Sequence, residues 1–463
     1  MTISVAPITT EARRLVYEGT RVFAQVEAAG IHIDVPYVQK AMLEIGKRLG
    51  VLVGLMRQDE HGRLWQQVFG SKTSFTAANQ IAALVFNELG YLPTKHTKVA
   101  QRPSGDADHL ESIDLPIVKY YLEMQKLTKL KDTFLANILR ETVDGYLHCL
   151  FDLHTALSYR SSSSLVNFQN LPIRWPLGGK IVRRAVIPRP GRVFVEVDLK
   201  TNEVRVAGCY CRDDRLMRDT LQGDMHRDMA AECFLLPVDR IPKDVRNAVK
   251  ANFVFAEFYG SSYQNVAANL WADISRYNLA NHDGSPLFDH LGDLGIDALG
   301  ECAFRGDPVP GTFEHHIKKV ERRFWDERYI KYRDWRRAWY ESYLQTGWFQ
   351  MQTGFVVQGV YERNQVINLP IQGSAFHCLL WIMIELHKWL RKNKMQTLVV
   401  GQIHDSLELD AVPEELDAVL DYVMNLIRVK IRKAWPWLIM PLEAEVEGSD
   451  KNWHEKKPIK PAA

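Results

Sequence analysis

Apolar residues recur at three- and four-residue spacing over residues 11–60 and again over 111–141, the pattern of helices that bury one face. Between them, "GSKTSFTAANQIAALVFNELG" predicts a further helix, capped by Thr76 and ended at Gly90. Residues 95–110 are polar, contain Pro and Gly, and read as an exposed loop. From residue 145 the period changes. "GYLHCLFDLHT" and "GRVFVEVDL" alternate and are rich in β-branched and aromatic residues, which predicts strands. Helical spacing returns over 213–260. Residues 278–312, with "NHDGSP" and "RGDPVPG", read as an irregular insertion, and 314–345 as a long helix dense in Arg, Lys and aromatics. A helix is predicted over 371–392, strands at "TLVVGQI" and "SLELD", and a last helix over 413–433. Helices at both ends of scattered strands indicate an α+β protein whose sheet collects distant segments.

Length and composition narrow the class. A chain of 463 residues can bury a sizeable core in two or three domains. Its 46% apolar and 25% charged residues exclude a disordered or fibrous protein. A formal charge of +2 gives no argument for a polyanion partner, so any such site must come from local clustering. The six cysteines form no CxxC pair, which favours reduced thiols over a disulfide framework or a zinc site. The start, MTISVAPITTEARR, lacks the basic-then-apolar plan of a signal peptide. The longest apolar run, around "CLLWIMIEL", is short for a bilayer span. A cytoplasmic location is expected.

Three stretches carry candidate chemistry. In "VFVEVDLKTNEVRVAG", alternation puts Val193, Val195 and Val197 on one face and Phe194, Glu196 and Asp198 on the other. Asp198 is either a turn former at a strand end or half of a carboxylate pair. "GQIHDSLELD" (401–410) offers the other half, because His404-Asp405 lies between two strands, at the tip of a hairpin. Two carboxylates on adjacent strand ends make a hard-oxygen site suited to Mg2+. A pair of such ions about 4 Å apart can activate an attacking oxygen and stabilise a leaving one in phosphoryl transfer. In "RNAVKANFVFAEFYG", Arg246 and Lys250 lie four apart on one helical face, which runs into Phe253, Phe255, Phe258 and Tyr259 and stops at Gly260. That face is either solvated or suited to a molecule with a triphosphate at one end and a flat base at the other. Upstream, Asp224 and His226 are further candidates for the phosphate end, although a lone His is commonly structural.

Together these stretches resemble the family A DNA polymerases, the class of bacterial DNA polymerase I and several phage replicases. Asp198 to Arg205 resembles the first palm motif, Asp-x4-Glu-x-Arg; "RNAVK…FAEFYG" resembles the fingers-helix motif; "QIHDS" resembles the second palm motif, usually His-Asp-Glu. In chain order with them stand "LTKLKDTF" (127–134), similar to the thumb helix, and "YRSSSSLVNFQNLPIR" (159–174), similar to the Gly-Arg-Leu-Ser-Ser stretch that ends in Asn-Ile-Pro. "NLPIQGSA" (368–375) is similar to the Asn-x-Pro-x-Gln-Gly segment, and "DKNWHE" (450–455) to the C-terminal tail. Each is weak alone, but seven in order over nearly the whole chain are specific.

The resemblance implies a right-hand fold: an N-terminal segment on the palm (1–40), a thumb (41–140), palm (141–212 and 363–463, an antiparallel sheet) and fingers (213–362). It implies a DNA-directed DNA polymerase that adds dNTPs to a primer 3′-hydroxyl. Asp198 and Asp405 would hold two Mg2+ ions, with Mn2+ able to substitute. His226, Arg246 and Lys250 would grip the nucleotide phosphates, and Lys250 would be placed to protonate the leaving pyrophosphate. Glu203 would exclude a 2′-hydroxyl, Phe255 would join the nucleotide site and Tyr259 would stack near the templating base. Arg160, Asn368, Gln372 and His404 would contact the primer-template, and Lys126, Lys129 and Lys131 the duplex phosphates. A separate exonuclease or processivity factor would be a partner of a monomeric enzyme.

Three departures qualify the resemblance. Tyr259 lies nine residues after Lys250, where the family has eight, while Phe255 to Tyr259 keeps the family's four. One extra residue at about 100° would swing Tyr259 off its face, so a π-helical turn between Lys250 and Phe255 is predicted. Ser406 stands where the family has Glu, with Glu408 a possible substitute, and altered activity is expected. The thumb-like region begins within the first few dozen residues, which leaves no room ahead of it for a proofreading 3′–5′ exonuclease. That economy and the "FAEFYG" wording fit a phage-encoded enzyme of DNA replication. Three rivals remain: a single-subunit RNA polymerase, opposed by Glu203; a His-Asp phosphohydrolase, opposed by the strand-like flanks of Asp405; and a silent DNA-binding scaffold, opposed by retention of both aspartates, Arg246 and Lys250.

Overall fold

The computed structural model describes residues 7–93, 102–111, 113–172, 175–302 and 306–460. Its centre is a five-stranded antiparallel sheet of β1 (Val193–Leu199), β2 (Leu398–Ile403), β3 (Ser406–Ala411), β4 (Ala444–Ser449) and β5 (Lys457–Pro458), in the order β5-β4-β1-β3-β2. The two sequence-predicted palm motifs therefore lie on neighbouring strands, with Asp198 opposite Ser406 and Glu196 opposite Glu408. Cross-strand partners share a face. Asp198, Glu196, Ser406 and Glu408 thus crowd one side with Glu445 and Glu447 of β4, while Val195, Val197, Leu407 and Leu409 are buried on the other. The C-terminal tail covers part of the charged side: the Trp453 indole donates to Glu196 Oε2 (2.6 Å), and Lys456 pairs with Glu196 and with Glu447.

Helices surround this sheet. The apolar stretch read as one helix over 11–60 is two, α1 (Thr10–Ala29) and α2 (Val35–Gln58), because Gly30 takes φ 68° and the chain then pairs briefly as strand before Asp34 caps α2. The helix read over 111–141 begins at α3 (Pro116–Thr128) and continues through a π-helical turn, Lys129–Leu135, to Glu141. Thr76 does not cap its helix: the helix starts at Ala78, and the Thr76 hydroxyl meets Ser74 Oγ instead. Gly90 does end it, at φ 74°. Of the loop predicted over 95–110, residues 95–101 lie outside the described residues and Ala107–Leu110 form a short helix.

After the sheet's first strand come α4 (Asn202–Cys211), α5 (Met225–Phe234) and α6 (Lys243–Val249). The basic, aromatic stretch is α7 (Phe313–Arg323), a π-helical turn and α8 (Ile330–Thr346). Arg333 pairs with Asp326 (2.7 Å), while Trp325, Tyr332, Trp335 and Trp339 form a ring-to-ring ladder.

The last long helix, α9 (Arg363–Lys392), starts eight residues earlier than predicted and carries Pro370 inside it. Proline lacks the N–H that Val366 O would accept. The Trp339 indole fills that vacancy at 3.1 Å, and a Glu362–Gln365 capping box fixes the start. This helix is long and apolar enough to cross a membrane, contrary to the estimate from its apolar run, but 89% of its apolar window is buried inside the protein. It is a core helix, packed on α1 and α4.

Candidate active site

The two aspartates meet where strand ends converge. β2 and β3 join through the two-residue turn His404-Asp405, and the Leu199 N–H donates to Asp405 O (3.0 Å), tying the turn to the end of β1. His404 takes φ 51°, a left-handed conformation that costs a non-glycine residue about 1–2 kcal/mol. Gln402, 1% exposed, offsets some of that cost: its Nε2 donates to His404 O (2.7 Å), and its Oε1 accepts from Ser161 and Gln169.

Asp198 reaches solvent, yet its carboxyl is pushed up to about 6 by burial and by the charges of Glu196 and Asp405. Burial also raises Asp405, against the pull of Arg160 and of a hydrogen bond from Asn202. Such crowding of negative charge on oxygen-only donors is the environment a divalent cation neutralises. Ser406 supplies no carboxylate. Its hydroxyl lies 2.6 Å from Glu408 Oε1 and 2.9 Å from Ile403 O. Glu408 is fully buried, its pKa driven well upward by burial and by Glu196, so it is a poor substitute ligand. Among the described residues no group of three or more His, Cys, Asp or Glu side chains is arranged to hold a metal, and Asp198 and Asp405 stand as a pair of carboxylates.

The fingers-helix motif lies beside it. Residues Lys250–Phe255 form the predicted π-helical turn, so the extra residue is absorbed and Tyr259 stays with Lys250 and Phe255. Lys250 Nζ sits 5.5 Å above the Phe255 ring, and Phe255 lies 6.4 Å from Tyr259. Phe258 packs in a buried aromatic cluster with Phe324, Trp325 and Tyr332 and, with Tyr332, also lines the crevice beside Phe255 and Tyr259. His226 meets Phe255 edge-on at 5.7 Å; burial, Lys250 and Arg246 lower its pKa to about 4, so it is neutral near pH 7. Asp224 is no phosphate ligand in this arrangement. It caps α5 through the Arg227 N–H and holds Arg246 Nε at 2.8 Å.

Glu203 joins the motifs. Tyr259 donates its hydroxyl to Glu203 Oε2 (2.5 Å) and Arg160 Nη1 donates to Oε1 (3.2 Å). Glu203, Phe255, Tyr259, Asn368 and Gln372 line one crevice. Asn368, expected on the primer-template, donates to Tyr259 O (3.1 Å), and Asn364 donates to Gly260 O (2.9 Å), so α9 holds the end of the fingers helix. Lys126 and Lys129 are exposed on α3 and the turn beyond it, with Lys131 half-buried. Lys126 pairs with Glu111 (3.2 Å) and Lys131 with Asp132 (3.0 Å). Sequence reasoning missed Asn202, Gln402 and the Asp224 clamp. The first two sit inside the quoted motifs as buried amides, which is the one signal that could have found them. Of the stretch 159–174, Ile173 and Arg174 lie outside the described residues.

A family model, DNA polymerase family A, matches residues 56–290 and 309–455. The chain is 28% identical over 457 residues to the thermostable DNA polymerase I of Thermus thermophilus, spanning 95% of this chain and 47% of that protein. It is 27% identical over 440 residues to DNA polymerase I of Mycobacterium bovis, spanning 94% and 43%. Among solved structures it is similar to the POL domain of Pol1 from M. smegmatis in complex with DNA primer-template and dNTP, with TM-score 0.74 and 22% identity over 95% of this chain and 70% of that one. The chain thus spans about half the length of the curated relatives it matches.

Proposed function

The chain belongs to DNA polymerase family A and has the α+β right-hand polymerase fold, and from that premise we propose that it extends a DNA primer with dNTPs on a template. The observation that carries this is a continuous set of contacts: Asp198 and Asp405 act on each other at the strand ends, the charge of Asp405 reaches Glu203, and Glu203 accepts from Tyr259 of the Lys250–Tyr259 helix at the crevice. The matched POL domain was solved with DNA primer-template and dNTP, which supports the same substrates here.

In this reading Asp198 and Asp405 hold two Mg2+ ions, for which Mn2+ can substitute. When bound, the ions supply activation of the attacking 3′-oxygen and neutralisation of charge on the leaving oxygen. The protein contributes position and charge. Arg246 and Lys250 bind the nucleotide phosphates, with Asp224 orienting the Arg246 guanidinium; neutral His226 offers a hydrogen bond without charge. Lys250 Nζ carries the proton for the departing pyrophosphate. Glu203, held between Arg160 and Tyr259, closes the sugar side of the crevice, and Tyr259 stacks near the templating base. Arg160, Gln372 and His404 face the primer-template, and Lys126, Lys129 and Lys131 the duplex phosphates.

The palm is assigned to 141–212 and 363–463, the fingers to 213–362 and the thumb to 41–140, with 1–40 packed on the palm. The wording of residues 255–260 supports a phage-type replicative enzyme acting in the host cytoplasm. Single-turnover primer extension tests the reading. Extension with the matched dNTP, reduced at least a thousandfold in Asp405→Asn, is expected, with no primer shortening when nucleotide is omitted. Tight primer-template binding without extension would leave only a DNA-binding scaffold.

A further inference from the structure

Asn202 is a fully buried amide in the interior. It opens α4 one residue before Glu203 and is 1% exposed, flanked by the buried Val204, Val206 and Ala207 of the same helix. An interior amide costs about 1–3 kcal/mol for each polar group left unbonded, so its bonds show what holds it there. Its Nδ2 donates to Ala375 O on α9 (3.0 Å) and to Asp405 Oδ1 (3.3 Å). Its own Oδ1 is buried with no partner. Half of the amide is therefore unsatisfied while the other half bridges the core helix and the aspartate at the hairpin tip.

Among the described residues Asp405 has no other such support. Ser406, its neighbour in the turn, directs its hydroxyl to Glu408 and Ile403 O. Gln402 holds the turn by His404 O and does not reach the carboxylate. Arg160 bonds Glu203 and acts on Asp405 only through its charge. Among the described residues, Asn202 is the one side chain that donates a hydrogen bond to the Asp405 carboxylate.

We propose that Asn202 is a positioning residue, anchored on Ala375 O, which pins Asp405 Oδ1 and so orients the carboxylate for a divalent cation at a site that lacks an acidic neighbour at position 406. The inference rests on the metal-dependent polymerase reading, and its test has a readout independent of turnover.

The test is Mn2+ binding, followed by electron paramagnetic resonance, to the full chain with a dideoxy-terminated primer-template and matched dNTP. Asn202→Leu, of similar size, and Asn202→Ala, which crowds nothing, are compared with wild type and with Asp405→Asn. Either Asn202 variant that melts within a few degrees of wild type and binds primer-template within twofold should need at least fivefold more Mn2+ for half-saturation. Its maximal single-turnover rate should fall tenfold or more, with the half-saturating dNTP concentration changed less than threefold. Mn2+ affinity within twofold of wild type in a folded variant would overturn the proposal. So would Mn2+ binding insensitive to Asp405→Asn. Wild type that binds Mn2+ through Asp405 but does not extend the primer would sink the polymerase reading alone, and the Mn2+ shift would still judge Asn202.

Discussion

Glu203 shows how much of the candidate site depends on one side chain. It accepts from Tyr259 on one oxygen and from Arg160 on the other, so it ties the fingers helix, the start of α4 and the strand region before it into one bonded set. Burial lifts its pKa, while the two donors hold its position. A carboxylate fixed in this way is a wall, because moving it breaks two charge-assisted bonds. Glu203→Ala should open that wall to a 2′-hydroxyl. In single-nucleotide insertion assays the preference for dNTP over the matching rNTP is expected to fall at least tenfold, and dNTP insertion to slow as Tyr259 loses its acceptor. An unchanged ratio would move the discrimination to another residue. Such a role was legible in the sequence only through the resemblance of Asp198 to Arg205 to the family's first palm motif. The Arg160 bond was not, since its partners are 43 residues apart.

At the scale of elements, the π-helical turn Lys250–Phe255 was legible by counting: nine residues had to do the work of eight. Ala251 is exposed, and its removal should convert the turn to plain α-helix with Tyr259 still facing the crevice. Primer extension by the Ala251 deletion is expected within tenfold of wild type; total loss would mean that the turn itself is required. The same helix carries Glu257, 1% exposed, which faces Glu321 of α7, Trp325 and Arg336 of α8. Burial and Glu321 raise its pKa from an ordinary 4.5 to about 8. The folded state therefore keeps a proton that the unfolded chain gives up, so stability is lost as pH rises from about 4.5 to about 8 and levels off above. Glu257→Gln keeps an acceptor for the Trp325 indole and cannot ionise. Its melting free energy should gain on wild type by about 1 kcal/mol per pH unit across that window. A constant difference from pH 5 to 8 would show that Glu257 is ionised in the fold. The early start of α9 was illegible for the opposite reason. A proline inside a helix is forbidden locally, and the indole that satisfies Val366 O comes from another helix.

For the whole molecule, a net charge of +2 hides how charge is distributed. The acidic face of the sheet, with Asp198, Glu196, Glu408, Glu445 and Glu447, offsets basic residues elsewhere, so composition carried no argument about a polyanion partner, whereas motif order pointed to the family. What periodicity could not reveal is which basic residues are already neutralised within the fold. Of the three lysines proposed to meet duplex phosphates, Lys126 and Lys131 have acidic partners, while Lys129 is exposed and makes no ion pair among the described residues. A lysine that releases a phosphate counterion contributes about one unit to the salt slope of DNA binding, and one that must first leave a carboxylate contributes less. Primer-template affinity measured across salt concentrations should therefore separate them. Lys129→Ala is expected to weaken binding several-fold, to the same extent on unrelated sequences, and to lower the slope by about 1. Lys126→Ala and Lys131→Ala should each change it by less than half as much. Equal effects from all three would mean that the ion pairs open freely on DNA, and no effect from Lys129→Ala would place the duplex away from this helix.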